Sequence, residues 1–330
     1  MMKSKLKIVL TGLALLALCI GTSPASAQRS TFLAFGGGPT GGTFNYFANG
    51  IAIYLSRALP NVEISSEGSG GSGENLRRLH AGQVDFGIVY SGDAYLGRAG
   101  QLPNDDRQYT NVRTMGYLYG APAQLVVRGD AGITSAKDLV GKRVAVGNAG
   151  SGAALAAERF FRHMELWDDI SPQFLGYSPA ASAFRDGKID AFWVLVGYPN
   201  ASIIEAATQD NIALVNLHHD AEESGFYDAF PFYAKVEIPA DTYRGQGEPV
   251  VTFQDSTFWM TNAGVSDDIV YESLKIIYSP EGLQHMVTAH AAAREMSVQG
   301  ALTGASVALH PGAYKFWTEQ GLTIPDELKP

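Results

Sequence analysis

Hydrophobic and polar positions follow two alternating periods along this chain, and the alternation occurs twice. Phe32-Leu33-Ala34-Phe35 is a short apolar run of strand type, followed by a glycine loop from Gly36 to Gly42. From Thr43 the apolar positions Phe44, Phe47, Ile51, Tyr54, Leu55 and Ala58 recur at helical spacing, which predicts a helix capped by Thr43 and stopped by Pro60. Val62 to Ser66 alternates as a strand, Ser72 is placed to cap a helix from Glu74 to Ala81, and Phe86 to Tyr90 reads as a buried strand. The second copy has a strand at Arg143-Val144-Ala145-Val146, a loop from Gly147 to Gly152 and a helix from Ala153 to Met164. Strands from Gln173 to Tyr177 and Ile189 to Val196, and helices from Pro179 to Arg185 and from Asn200 through Ala207, complete it. Each copy also carries a Gly-x-x-Asp turn into a strand, at Gly82 to Asp85 and at Gly187 to Asp190.

Between the copies, Thr114 to Arg128 is apolar and aromatic but interrupted by Gly120 and Pro122, and reads as a crossing between two lobes. His218 to Pro249 reads as loop-rich, Val250 to Thr261 as a long returning strand, and the segment from Ser266 onward as helices. Strands alternating with helices predict an α/β fold with mostly parallel sheets flanked by helices. The expected division places 28–118 with 258–330 in lobe 1 and 119–257 in lobe 2. Ligands on such sheets sit at the carboxyl ends of the strands. That rule selects the two glycine loops, Tyr90-Ser91 and Gly197-Tyr198.

Composition narrows the classes. At 17% charged and 46% hydrophobic, 330 residues are enough for two ordinary domains with a sizeable core. Lys3, Lys5 and Lys7, the apolar run from Ile8 to Ile20 and Ala25-Ser26-Ala27 form an export-signal pattern over 1–27, cleaved after Ala27. Removing it leaves 21 basic against 33 acidic residues, a net charge of −12, which argues against nucleic acid or an anionic membrane surface as partner. It also removes Cys19, the single cysteine, so thiol and disulfide chemistry is excluded and a periplasmic location is expected.

The candidate chemistry is anion binding. Thr40-Gly41-Gly42-Thr43 and Gly150-Ser151-Gly152 each combine glycines, hydroxyls and a helix N-terminus, so main-chain N–H groups can approach a ligand oxygen. Ser72, Tyr90, Ser91, Trp193 and Tyr198 are the further candidate ligand contacts. Gly36-x-Gly38-x-x-Gly41 fits the dinucleotide fingerprint with Glu63 beyond it, but Pro39 stiffens the turn and an exported chain has no nicotinamide pool. His218-His219-Asp220 matches no metal-ligand spacing and reads as a surface loop. No positioned nucleophile and base pair up, so neither an enzyme nor a cofactor is expected. Arg77, Arg78, Arg98 and Arg128 stand as unranked candidates for a carboxylate clamp.

These residues carry a family resemblance. Thr40-Gly41-Gly42-Thr43-Phe44, Gly70-Gly71-Ser72-Gly73-Glu74-Asn75-Leu76 and Gly82-Gln83-Val84-Asp85-Phe86 resemble successive motifs of the TAXI-family solute-binding proteins that serve TRAP-type transporters. Gly150-Ser151-Gly152, Asp190-Ala191-Phe192, Gly197-Tyr198-Pro199 and Leu309-His310-Pro311-Gly312-Ala313 continue the pattern over nearly the whole mature chain. The resemblance implies a two-lobe periplasmic-binding-protein-like fold (type II), monomeric, closing on a small carboxylate such as a glutamate-like amino acid or 2-oxo dicarboxylate. It also implies delivery to TRAP-type membrane permease subunits. A signalling receptor, or a hydrolase or lyase on the same fold, is the alternative. Gly73 departs from the family pattern, where a small branched residue is expected, as do Tyr90 to Asp93 and Trp193.

Overall fold

The computed structural model describes residues 30–330; the expected export segment lies outside them. The first unit runs β1 (Thr31–Gly36), α1 (Thr43–Ala58), β2 (Val62–Glu67), α2 (Ser72–His80), β3 (Phe86–Tyr90), α3 (Ser91–Ala99). After the crossing strand β4 (Val112–Arg128), the second unit runs β5 (Arg143–Ala145), α4 (Gly152–His163), β6 (Ser171–Gln173), α5 (Tyr177–Arg185), β7 (Ala191–Leu195), α6 (Ala201–Gln209) and β8 (Ile212–Leu214). Then come α7 (Leu217–Glu223), α8 (Phe226–Ala229), β9 (Tyr233–Ile238), the returning strand β10 (Val250–Asn262), α9 (Asp267–Ile277), α10 (Pro280–Ala289) and α11 (Pro311–Glu319).

The fold is α/β. Parallel β2-β1-β3 and parallel β7-β5-β6 are joined through β10 and β4 into one mixed sheet, because both crossing strands pair antiparallel to their neighbours. β8 and β9 add to β4 and β10. β4 passes unbroken through Gly120 and Pro122. Gly120 leaves room for Gln254, whose Oε1 lies 2.0 Å from where a Cβ would stand, and the Pro122 carbonyl accepts from the Val196 N–H at 3.3 Å. The repeated turns are built alike: Asp85 accepts from the Ala34 N–H and Asp190 from the Arg143 N–H, each at 2.8 Å, pinning the first strand of its unit.

Several local expectations shift. Thr43 and Ser72 are the first helical residues, not caps; Gly42 and Gly71 hold the cap positions. The strand expected at Gln173 to Tyr177 ends at Gln173, and Tyr177 opens α5. The region from His218 to Pro249 holds most of α7, then α8 and β9, and Asp220 is buried, accepting from the Ala136 N–H at 2.7 Å. Trp193 is fully buried among Phe160, Phe161 and Phe253, with centroids 5.8–5.9 Å away. Among the described residues no helix is long and apolar enough to cross a membrane.

Phe160 touches Phe161, Trp193, Phe226 and Phe253 at the centre of this aromatic cluster. Phe160→Ala is expected to lower unfolding free energy by about 3–5 kcal/mol, through lost burial and a residual cavity. Guanidinium denaturation checks this; a loss below about 1 kcal/mol would mean that the cluster is loosely packed.

Candidate functional site

Parallel strands of both units end in loops that open helices, and five of these helix starts meet in one cleft. The N-cap residues Gly42 of α1, Gly71 of α2, Tyr90 of α3, Ser151 of α4 and Gly176 of α5 all line it. In this packed arrangement the cavity between them is small, about 20 Å³, little more than room for a single water molecule. Thr43, Phe44, Ser72, Asn148, Gly152, Ala153, Tyr177 and Val196 contribute to its walls, and none of the lining residues is charged.

The polar groups there are mainly donors. Gly42, Gly71 and Gly176 have no side-chain acceptor, so the first-turn N–H groups of α1, α2 and α5 are left uncapped at the cleft. Each helix start also carries a partial positive charge. Ser151 Oγ accepts from the Ala154 N–H at 3.1 Å, leaving its own hydrogen free to donate inward. The Tyr90 hydroxyl donates to the Leu195 carbonyl, and that of Tyr177 donates to the same oxygen at 3.2 Å. Burial pushes both tyrosines above their ordinary range, so they remain protonated.

The two sides are drawn close. A Cβ on Gly152 would lie 2.5 Å from Ser72 Cβ and 2.6 Å from both Asp93 Oδ2 and Tyr90 Cδ2. A Cβ on Gly73 would lie 2.7 Å from the Gly150 carbonyl, which accounts for glycine where the resemblance led us to expect a branched residue. The Asn200 Nδ2 donates to the Gly41 carbonyl at 3.0 Å. Asn75 Nδ2 reaches the carbonyls of Gly36, Gly37 and Ile88 at 2.7–3.1 Å, holding the first loop.

Of the residues selected from sequence, Gly42, Thr43, Ser72, Tyr90, Ser151 and Gly152 come together in this cleft. Ser72 Oγ accepts from the Tyr90 N–H at 3.0 Å and ties α2 to β3. The other six do not line it. Thr40 is exposed; Gly41 faces Ser178 and Ser202; Gly150 is exposed with φ +70. Ser91 Oγ turns away to the Gly304 carbonyl and Ser306 Oγ. Trp193 is core, and Tyr198 lines a separate surface groove with Arg294 and Glu295. None of the four candidate arginines lines the cleft: Arg78 pairs with Glu67 and Arg128 with Asp210. Sequence reasoning passed over Asn148, Gly176 and Tyr177. Pro179 was read as the helix start, two residues late, which left Gly176 and Tyr177 in the expected strand.

Residues 35–321 match the model of the NMT1-like family. The fold is similar to that of MatC from Rhodopseudomonas palustris with bound malate, at 14% identity over 81% of this chain and 89% of that one, TM-score 0.53. It is likewise similar to the periplasmic binding protein BugD, at 14% identity over 88% and 94% of the two chains, TM-score 0.52.

Gly152→Ala places a methyl where the two sides touch, and is expected to force α4 away from α2 and α3 at a cost of about 1–3 kcal/mol. Hydrogen exchange checks it: the Tyr90 amide, held by Ser72, should exchange faster. Unchanged exchange and stability would mean that the contact yields without separation.

Proposed function

The chain belongs to the NMT1-like family, and on that premise we propose that it is an exported solute-binding protein that closes over a small organic acid. The observation that carries the reading is the convergence of five helix N-termini on a cleft with no charged side chain. Donors without a counter-charge suit a carboxylate, whose oxygens accept several N–H and O–H bonds at once. That MatC, of similar fold, was solved with malate accords with this class.

The mechanism is hinge closure. The segments 28–118 with 258–330 and 119–257 act as the two lobes, joined through β4 and β10. Tyr90 OH to Leu195, Asn200 to Gly41 and Thr43 Oγ1 to Gly197 at 3.5 Å are the bonds that would form on closing. The role is binding rather than catalysis, because the lining residues include no carboxylate, imidazole or amine. A periplasmic location, a monomeric state and delivery to a TRAP-type permease, with a glutamate-like amino acid or 2-oxo dicarboxylate as cargo, complete the proposal.

Thermal-shift screening against malate, glutamate and 2-oxo dicarboxylates tests it. A true ligand at a hundredfold excess over its Kd stabilises the fold by about 2.7 kcal/mol. Titration calorimetry on Ser151→Ala should then show affinity weaker by about 1–3 kcal/mol, from the loss of a hydrogen bond to a charged group. No stabilisation by any of these acids, or unchanged affinity in the variant, would sink the reading.

A further inference from the structure

Beneath the cleft lies an ionisable cluster that ligand binding leaves unused. Asp93 on α3 and Asp255 on β10 are each 1% exposed, and Arg159 on α4 is 7% exposed. Two carboxylates and one guanidinium are therefore held near one another away from water. Arg159 Nη2 lies 3.3 Å from Asp93 Oδ1, and Nη1 donates to the Tyr233 hydroxyl on β9. The rings of Phe230, Phe232 and Tyr233 surround the guanidinium at 5.9, 5.4 and 5.7 Å. Asp255 Oδ1 accepts from the Gly92 N–H at 3.2 Å. Asp93 Oδ2 and Asp255 Oδ2 have no hydrogen-bond partner.

The other groups facing the cluster are Arg77 from α2, which acts on Asp93, and the neutral hydroxyl of Tyr90. Both arginines act on Asp93, and neither makes an ion pair with Asp255, whose carboxylate is met only by main-chain N–H groups. A buried, unpaired carboxylate is costly, and a proton both removes its charge and supplies a donor. Burial raises both aspartates; Arg159 opposes this at Asp93, whereas at Asp255 the neighbouring Asp93 charge adds to burial and together they outweigh Arg159 and the N–H groups of Gly92 and Ser256. Burial works against the Arg159 charge, but Tyr233, Asp93 and Asp255 outweigh it.

We propose that Asp255 carries a proton when the two sides of the cleft are packed together, so that closure takes up a proton. The coupling is geometric. Asp93 Oδ2 lies 2.6 Å from the Cβ position of Gly152, in the first turn of α4, and Arg159 lies further along the same helix. Moving α4 from α3 parts Arg159 from Asp93 and admits water, in which Asp255 ionises at its ordinary value. A surface groove lined by Leu96, Glu158, Arg162, His163 and Phe230 reaches Arg159 from outside. The coupling to ligand rests on the proposed binding role; the proton in the packed state does not.

The sign follows from the raised Asp255. The packed state binds the proton up to a higher pH than the unfolded chain does. Its contribution is full below the ordinary carboxylate range and is lost as pH rises to the folded value, by up to about tenfold in equilibrium constant per pH unit. Denaturation of wild type and Asp255→Asn from acid to alkaline pH tests this. The wild type should lose stability relative to the variant as pH rises; parallel profiles overturn the proposal. Calorimetry with malate in two buffers of different ionisation enthalpy adds the ligand arm. Wild type should take up protons on binding and Asp255→Asn should not; equal uptake in both overturns the coupling. Absence of any malate heat counts against a small dicarboxylate as ligand of the cleft, while the denaturation profiles still decide the proton.

Discussion

Backbone at Gly152 is packed directly against Ser72, Tyr90 and Asp93 of the other unit. Much of the site depends on it. With no side chain at position 152, the start of α4 can rest on the starts of α2 and α3, and their N–H groups face a common space. The same contact brings the Tyr90 hydroxyl to the Leu195 carbonyl and Arg159 to Asp93. Gly73 performs the matching task against the Gly150 carbonyl. A methyl at either position would hold the facing helix ends apart and dilute the field that each contributes.

What holds the two units in register is the antiparallel β4–β10 pair, which runs from the first parallel set to the second. Rigid strands carry the loops, and the loops carry the chemistry, so each helix start is aimed by a strand end rather than by a flexible linker. The aromatic cluster around Phe160 stiffens the second unit, and Phe35, Phe86 and Trp259 do so in the first, with centroids 5.4–6.1 Å apart.

The alternation of periods made the α/β class, the two units and the glycine loops legible in the sequence. The internal repeat went deeper than pattern, since Asp85 and Asp190 make the same bond in both copies. Six of the selected residues meet in the cleft, and two of those that do not, Ser91 and Trp193, show what the pattern lacks. Periodicity locates a strand end but not the direction a side chain leaves it, so Ser91 and Trp193 could not be told from Tyr90. Gly120 and Pro122 read as breaks because the packing that tolerates them, Gln254 above and Val196 beside, comes from far along the chain. The Asp93–Arg159–Asp255 cluster was invisible for the same reason: its members are brought together by three separate elements.

An anion in this cleft would be held without a countercharge in contact. The guanidinium beneath it is already engaged by Asp93 and Tyr233, and the remaining attraction comes from helix ends of about half a charge each. Fixed dipoles lose no side-chain entropy on binding, so selection rests on where acceptor oxygens fall rather than on total charge. Such a site is sensitive to any negative charge placed behind it, because burial leaves little water to screen the repulsion. An ionised Asp255 would oppose the dipoles that the five helices supply. A protonated Asp255 leaves Arg159 paired with Asp93 and removes the negative charge that would face the anion from below. A proton beneath and an anion above would therefore favour one another, and both would favour the packed state in which Gly152 meets Ser72.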